Sequence, residues 1–144
     1  MTPQRVTLIT LGTDDMNRAR NFYAALGWTP HPSSQDEVTF YQMHGALLGL
    51  FSRAALAKDQ GRPGAELGTG AMTLAQNFAD RAGVDAAWRA ALDAGAKALK
   101  APEEVFWGGY SGYYTDPDGH VWEIAHNPFW PLAEDGSLTL PSPK

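Results

Sequence analysis

Chemistry in this chain turns on Glu123. It lies in His-Val-Trp-Glu-Ile-Ala-His, residues 120–126, where the period of two in an extended chain puts Val121, Glu123 and Ala125 on one face and Trp122 and Ile124 on the other. Glutamate has poor strand propensity and is costly to bury unpaired, so a carboxylate in the middle of an apolar strand either faces water or works in a pocket. In an apolar concavity desolvation raises a carboxyl pKa unless a donor answers it, and such a group serves as general base or as hydrogen-bond acceptor for a ligand. The plainer alternative is an inert acid hydrogen-bonded to a Tyr or Gln.

Other reactive groups are few. The chain has no cysteine, which removes thiolate metal sites, disulfides and cysteine nucleophiles. His31, His44, His120 and His126 lie in or beside turns, and His120 and His126 have the parity opposite to Glu123. They read as solvated surface groups, with His126 capping its strand end. No cofactor is expected, a divalent metal being the alternative. Trp107, Tyr110, Tyr113 and Tyr114 crowd the approach to a turn, with glycines at 108, 109 and 112 that let the backbone bend and admit something flat. Trp107, Tyr110 and Tyr114 are candidates to line a small-molecule pocket, the alternative being that the loop stacks on Phe129-Trp130-Pro131 and seals the sheet edge. Tyr113 and Trp122 read as structural.

The elements that must hold these residues follow from turn signals and periodicity. Asp116-Pro117-Asp118-Gly119 between an aromatic and an apolar run predicts a hairpin. Upstream, residues 5–12 predict a buried strand; Asp14 or Asp15 then caps a helix carrying Met16, Ala19, Phe22, Tyr23 and Leu26 on one face until Gly27 stops it. Residues 28–30, 37–43 and 46–51 predict three more strands. Residues 52–70, with four glycines and one proline after a short helical turn, form a connector. The order then restarts with a strand over 71–78 and a helix carrying Val84, Ala87, Trp88, Ala91 and Leu92 up to Gly95. Thr73-Leu74 echoes Thr7-Leu8, and Ala90-Ala91-Leu92 echoes Ala24-Ala25-Leu26, both at a spacing of 66, as in a duplicated unit. At the far end Gly45 to Leu50 aligns with Gly119 to Ile124, which equates Gly49 with Glu123.

A chain ordered βαβββ twice, with Phe22-Tyr23 and Leu26-Gly27-Trp28 in the first unit and Asp116-Pro117-Asp118-Gly119 before Glu123 in the second, resembles the vicinal oxygen chelate superfamily. This is the group of glyoxalase I, bleomycin-resistance proteins and extradiol dioxygenases. The resemblance covers nearly all of residues 5–127. It implies an α+β fold, with tandem βαβββ modules (5–51 and 71–127) joined by a linker (52–70) and followed by a tail (128–144) in a single domain spanning 1–144. The modules would form curved mixed sheets around a cleft, with helices on the outer faces. Metal-dependent members take their ligands from the first and last strands of each module, positions that fall here on Leu8, Gly49, Leu74 and Glu123. Leu8, Gly49 and Leu74 offer no donor atom, so the resemblance implies a relative lacking the catalytic metal. Parity nominates Thr10, Phe51 and Gln76 as cleft neighbours. The expectation is binding of a small, partly apolar or aromatic molecule in a cleft floored by Leu8, Leu74 and Glu123. The alternatives are a metal-dependent lyase, isomerase or dioxygenase of the glyoxalase type, or a metal-free enzyme using Glu123 as general base.

Composition narrows the partners. Hydrophobic content of 44% with 19% charged suits a domain with its own core. A formal charge of −5, with the 11 basic residues scattered, argues against nucleic acid or an anionic membrane as partner. No long apolar run or leader-like N-terminus is present. A cytoplasmic homodimer acting on a small molecule is expected.

Overall fold

The computed structural model describes residues 1–143. Contacts divide the chain into two units, Met1–Gly68 and a second from Thr69 onward. In the first, Leu8–Thr13 form β1, Met16–Ala25 α1, Val38–Gln42 β2, Leu47–Ser52 β3 and Arg53–Asp59 α2. Asp15 caps α1 by accepting from the Arg18 amide at 3.0 Å, and Gly27 leaves the helical region at φ +93°. β3 is central, parallel to β1 and antiparallel to β2.

Strand alternation then decides what is buried. Leu11, Tyr41, Leu48 and Leu50 share the face that meets Ala19, Phe22 and Tyr23 of α1, and all seven are buried. The Thr39 hydroxyl donates to the Met16 sulfur at 3.3 Å and accepts from Arg20, which ties the helix to this face. Tyr23 packs on Trp28 at 5.1 Å and on Tyr41 at 5.9 Å between ring centroids, so the core is an aromatic cluster.

Residues 28–30 form no strand, a correction to the sequence reading. The His31 amide donates to the Phe40 carbonyl at 2.7 Å, but Pro30 and Pro32 beside it have no N–H with which to continue a ladder. The first unit is therefore βαββ followed by α2, and its sheet has three strands.

The second unit keeps the βαβββ order: Thr73–Asn77 (β4), Arg81–Asp93 (α3), Lys97–Glu104 (β5), Tyr110–Thr115 (β6) and Val121–His126 (β7). Its four strands lie in the order β4-β7-β6-β5, with β4 parallel to β7 and the other pairs antiparallel. Trp122, Ile124 and Tyr114 are buried on the α3 side, where Val84 and Ala91 meet them. The predicted hairpin is present. Asp116 receives the His120 and Asp118 amides on its carboxylate at 2.9 and 3.0 Å, and Gly119 turns the chain at φ +94°.

The expected curved sheets around a cleft are also corrected. Each unit forms an open mixed sheet, and neither is closed or strongly curled. Helices flank both sheets. Among the described residues no helix is long and apolar enough to cross a membrane.

The duplication has a different register from the one expected. The N-caps Asp15 and Asp80 are 65 residues apart, whereas the helix-stopping glycines Gly27 and Gly95 are 68 apart. α3 is 13 residues long against 10 for α1, so the repeat gains nearly one helical turn. A single spacing of 66 fits neither end.

Candidate functional site

β7 holds Glu123 between β4 and β6, and strand pairing puts Ala75 on one side of it and Tyr113 on the other. Lys100 on β5 pairs with Tyr113, so one row across the sheet reads Ala75, Glu123, Tyr113, Lys100. This row lies on the face away from α3. The opposite parity faces the helix, where the Tyr110 hydroxyl donates to Asp85 of α3 at 2.6 Å.

The Tyr113 phenol stands opposite the Glu123 carboxylate, and its pKa is raised by burial and then by the neighbouring charge of Glu123. Lys100 lies further along, its ammonium held by Glu103 at 2.9 Å, a pairing that raises its pKa. Val121 and Ala125 flank Glu123 along its own strand, and Glu123 is half-buried. The face therefore offers a carboxylate with a phenol opposite it, set among small apolar side chains.

In the first unit the corresponding row is Thr10, Gly49, Phe40. Leu8, Thr10, Gly49 and Phe51 all share the face away from α1, so four of the expected site residues come together there. A Cβ on Gly49 would lie 3.4 Å from Leu8 Cδ1 and 3.5 Å from Phe40 Cε1, which puts Gly49 beneath these two side chains. Phe40 was not foreseen. Its signal is pairing with Gly49 across the β2–β3 hairpin, as Tyr113 pairs with Glu123.

Other expected site residues are placed elsewhere. Leu74 pairs with Trp122 and Gln76 with Ile124, so both lie on the helix side of the second sheet, the face opposite Glu123. The residue beside Glu123 is Ala75. Tyr114 is buried on the helix side, and burial pushes its pKa far up. Tyr110 faces α3, with the Arg81 guanidinium 5.0 Å from its ring centre. Trp107 is exposed in the β5–β6 turn and folds over Gly109, while Phe129 of the tail reaches within 3.6 Å of a Cβ placed on Gly108. Of the four aromatics before the turn, it is Tyr113, read from sequence as structural, that pairs with the acid across the strands. His126 caps its strand as expected, with Nδ1 3.0 Å from the Phe78 carbonyl.

A separate recess of about 620 Å³ belongs to the first unit alone, lined by Asp14, Arg53, Ala57 and the 64–68 loop. Arg53 stands in it, 3.5 Å from Asp14 and donating to the Leu67 carbonyl at 3.1 Å, so its charge is already answered.

Residues 5–124 match the family described as the Glyoxalase/Bleomycin resistance protein/Dioxygenase superfamily, which spans most of the chain. The chain belongs to this superfamily. A glyoxalase-related enzyme from Fulvimarina pelagi, known from a high-resolution crystal structure, is 37% identical with a TM-score of 0.89 over 97% of this chain and 100% of that one. At the level of fold alone, a glyoxalase/bleomycin resistance protein/dioxygenase family enzyme from Burkholderia phytofirmans PsJN is 21% identical, with a TM-score of 0.73 over 83% of this chain and 96% of that one. Lactoylglutathione lyase from Agrobacterium tumefaciens is likewise 21% identical, with a TM-score of 0.66 over 90% of this chain and 98% of that one. No curated protein matches the chain.

The superfamily's metal chemistry depends on a set of donors that this member does not assemble. Gly49 occupies the place of Glu123 in the first unit, and the first-strand positions carry Leu8 and Thr10 in one unit and Leu74 and Ala75 in the other. Among the described residues no group of three or more His, Cys, Asp or Glu side chains is arranged to hold a metal ion. The residues present do not fit a glyoxalase-type divalent centre.

Proposed function

We propose that this glyoxalase-superfamily member binds a small, partly apolar or aromatic molecule on the helix-free face around Glu123, with the carboxylate accepting a hydrogen bond from it. One observation carries the reading: a half-buried acid stands among Val121, Ala125 and Ala75, with the Tyr113 phenol opposite it and, among the described residues, no cation paired with it, which leaves lone pairs for an incoming donor. Superfamily membership supports the reading. The same acid, placed beside a reacting C–H or O–H, would be the base of a metal-free enzyme.

A thermal-shift screen with phenols, aldehydes and aromatic antibiotics, run on the wild-type chain and on Glu123→Ala, tests this. At least one class is expected to raise the melting temperature of the wild type and not of the variant. Metal analysis of protein purified without chelator tests the rival reading. Stoichiometric Zn, Ni, Fe or Mn that disappears in Glu123→Ala would establish a metal-dependent lyase or dioxygenase instead.

A further inference from the structure

We propose that the recess of the first unit, between α2 and residues 64–68, is a second binding site, and that it takes a short peptide of small residues with a free amino terminus. The peptide backbone lies along residues 64–68, and its ammonium meets Glu66. This site is independent of the Glu123 face.

The recess exists because the chain doubles back. α2 ends at Gln60, Gly61 turns the chain at φ +78°, and the Arg62 amide closes the turn on the Ala57 carbonyl at 2.9 Å. A second turn, in which the Ala65 amide donates to the Arg62 carbonyl at 3.0 Å and Gly64 stands at φ +79°, sends the chain back toward the start of the helix. There Arg53 donates to the Leu67 carbonyl at 3.1 Å and fixes the returning segment. Helix and segment are thus joined at both ends and line a space of about 620 Å³, the size of a small-molecule site.

What the returning segment presents is backbone. Gly64 and Gly68 line the recess without a side chain, so they do so with main-chain atoms, and a Cβ on either would meet nothing within 4 Å. Burial alternates along Ala65, Glu66, Leu67 and Gly68 with the period of a strand, yet the segment belongs to neither sheet. Among the described residues, the amides of Glu66, Leu67 and Gly68 and the carbonyls of Ala65 and Glu66 have no protein partner. A row of unpaired donors and acceptors is what recruits another extended chain.

Side chains on the lining set which chain fits. Ala54 and Ala57 stand on the helix side, so a backbone bearing small side chains has room there. Charge sets its direction. Arg53 is engaged by Asp14 and by the Leu67 carbonyl, whereas the Glu66 carboxylate makes no ion pair or hydrogen bond among the described residues. An ammonium answers that carboxylate through a charge-assisted hydrogen bond, while an anion would meet it in a chain of formal charge −5.

Trialanine, N-acetyl-trialanine and n-butylamine separate the two parts of the claim, since the second lacks the ammonium and the third lacks the amides. Titrated into the wild-type chain by NMR, trialanine is expected to shift the amides of Ala54, Ala57 and residues 64–68. It should bind several-fold more tightly than the acetylated peptide and at least about tenfold more tightly than butylamine. Glu66→Gln should bring trialanine down to the level of the acetylated peptide. Ala54→Leu, at an exposed helix position, should fill the recess and abolish binding while leaving the melting temperature unchanged. The proposal is overturned if trialanine at millimolar concentration leaves residues 64–68 unperturbed, if butylamine or the acetylated peptide matches it, or if Ala54→Leu binds it as the wild type does. None of these outcomes bears on Glu123, so the two sites fail separately.

Discussion

Tyr113 and Glu123 stand opposite each other on β6 and β7, and the carboxylate of one helps to raise the pKa of the phenol of the other. Their meeting is a consequence of the Asp116–Gly119 turn, because the strands pair outward from it in strict order: Thr115 with Val121, Tyr114 with Trp122, Tyr113 with Glu123. Removing the hydroxyl beside the acid is expected to cost up to about 1 kcal/mol of stability in Tyr113→Phe. A double-mutant cycle with Glu123→Gln, read by urea denaturation, should return a coupling of about 1 kcal/mol, and additive losses would show that the pair is not coupled.

Asp116 holds the turn from beneath. It is buried and accepts two backbone amides, so Asp116→Ala leaves both donors without that acceptor. A loss of about 1–3 kcal/mol in chemical denaturation is expected, while Asp116→Asn, which keeps an acceptor oxygen, should lose less.

High pH should unfold the protein through its tyrosines. Burial raises the pKa of Tyr114 most, and those of Tyr41 and Tyr113 as well, so in these positions the unfolded chain ionises before the folded one. The associated stability is complete below a pH of about 10, the ordinary tyrosine value, and is lost as pH rises from there toward the folded-state value. Stability measured against pH should therefore fall above that point, by up to roughly 1.4 kcal/mol per pH unit for each retained proton, and Tyr114→Phe should make the fall shallower.

Tyr41 makes the opposite test. Its hydroxyl is buried, with no hydrogen-bond partner among the described residues, while its ring packs against Tyr23 and Trp28. Tyr41→Phe keeps the ring contacts and removes the unsatisfied group, so the variant should be as stable as the wild type or more stable by about 1 kcal/mol. A loss above that in thermal and urea melts would show that the hydroxyl is satisfied in solution.

Gly112 marks where β5 bulges past β6. A Cβ there would come within 2.8 Å of the Pro102 nitrogen and 2.9 Å of the Lys100 carbonyl oxygen, both backbone atoms. Gly112→Ala is expected to destabilise by about 1–3 kcal/mol, because the edge strand must shift to admit the methyl group. Gly49→Ala, whose Cβ would make ordinary contacts with side chains, should cost less. Paired denaturation curves compare the two.

Much of this was legible in the residues, and the failures have specific causes. The hairpin, a cap at Asp14 or Asp15 and the stops at Gly27 and Gly95 rest on local chemistry and are found in the structure, the cap being Asp15. Leu74 and Gln76 were placed on the wrong face because a spacing of 66 was carried through a helix that has grown by three residues between the copies, and in a strand an error of one reverses every side chain. Tyr113 was passed over for Tyr110 and Tyr114 because aromatic composition says nothing about parity. Counting pairs back from the turn would have found it. The strand expected over 28–30 failed because apolar character was weighed without asking whether the prolines at 30 and 32 could donate to a neighbour.

Those same two prolines have an effect beyond the missing strand. β2 ends its sheet with an outer edge that a foreign strand could extend, the route by which open sheets stack into fibres. The segment carrying Pro30 and Pro32 lies along that edge, tied by the His31–Phe40 bond, and occupies it without offering a regular row of donors to the next chain. What looks like an incomplete copy of the module thus doubles as a guard against self-templated aggregation.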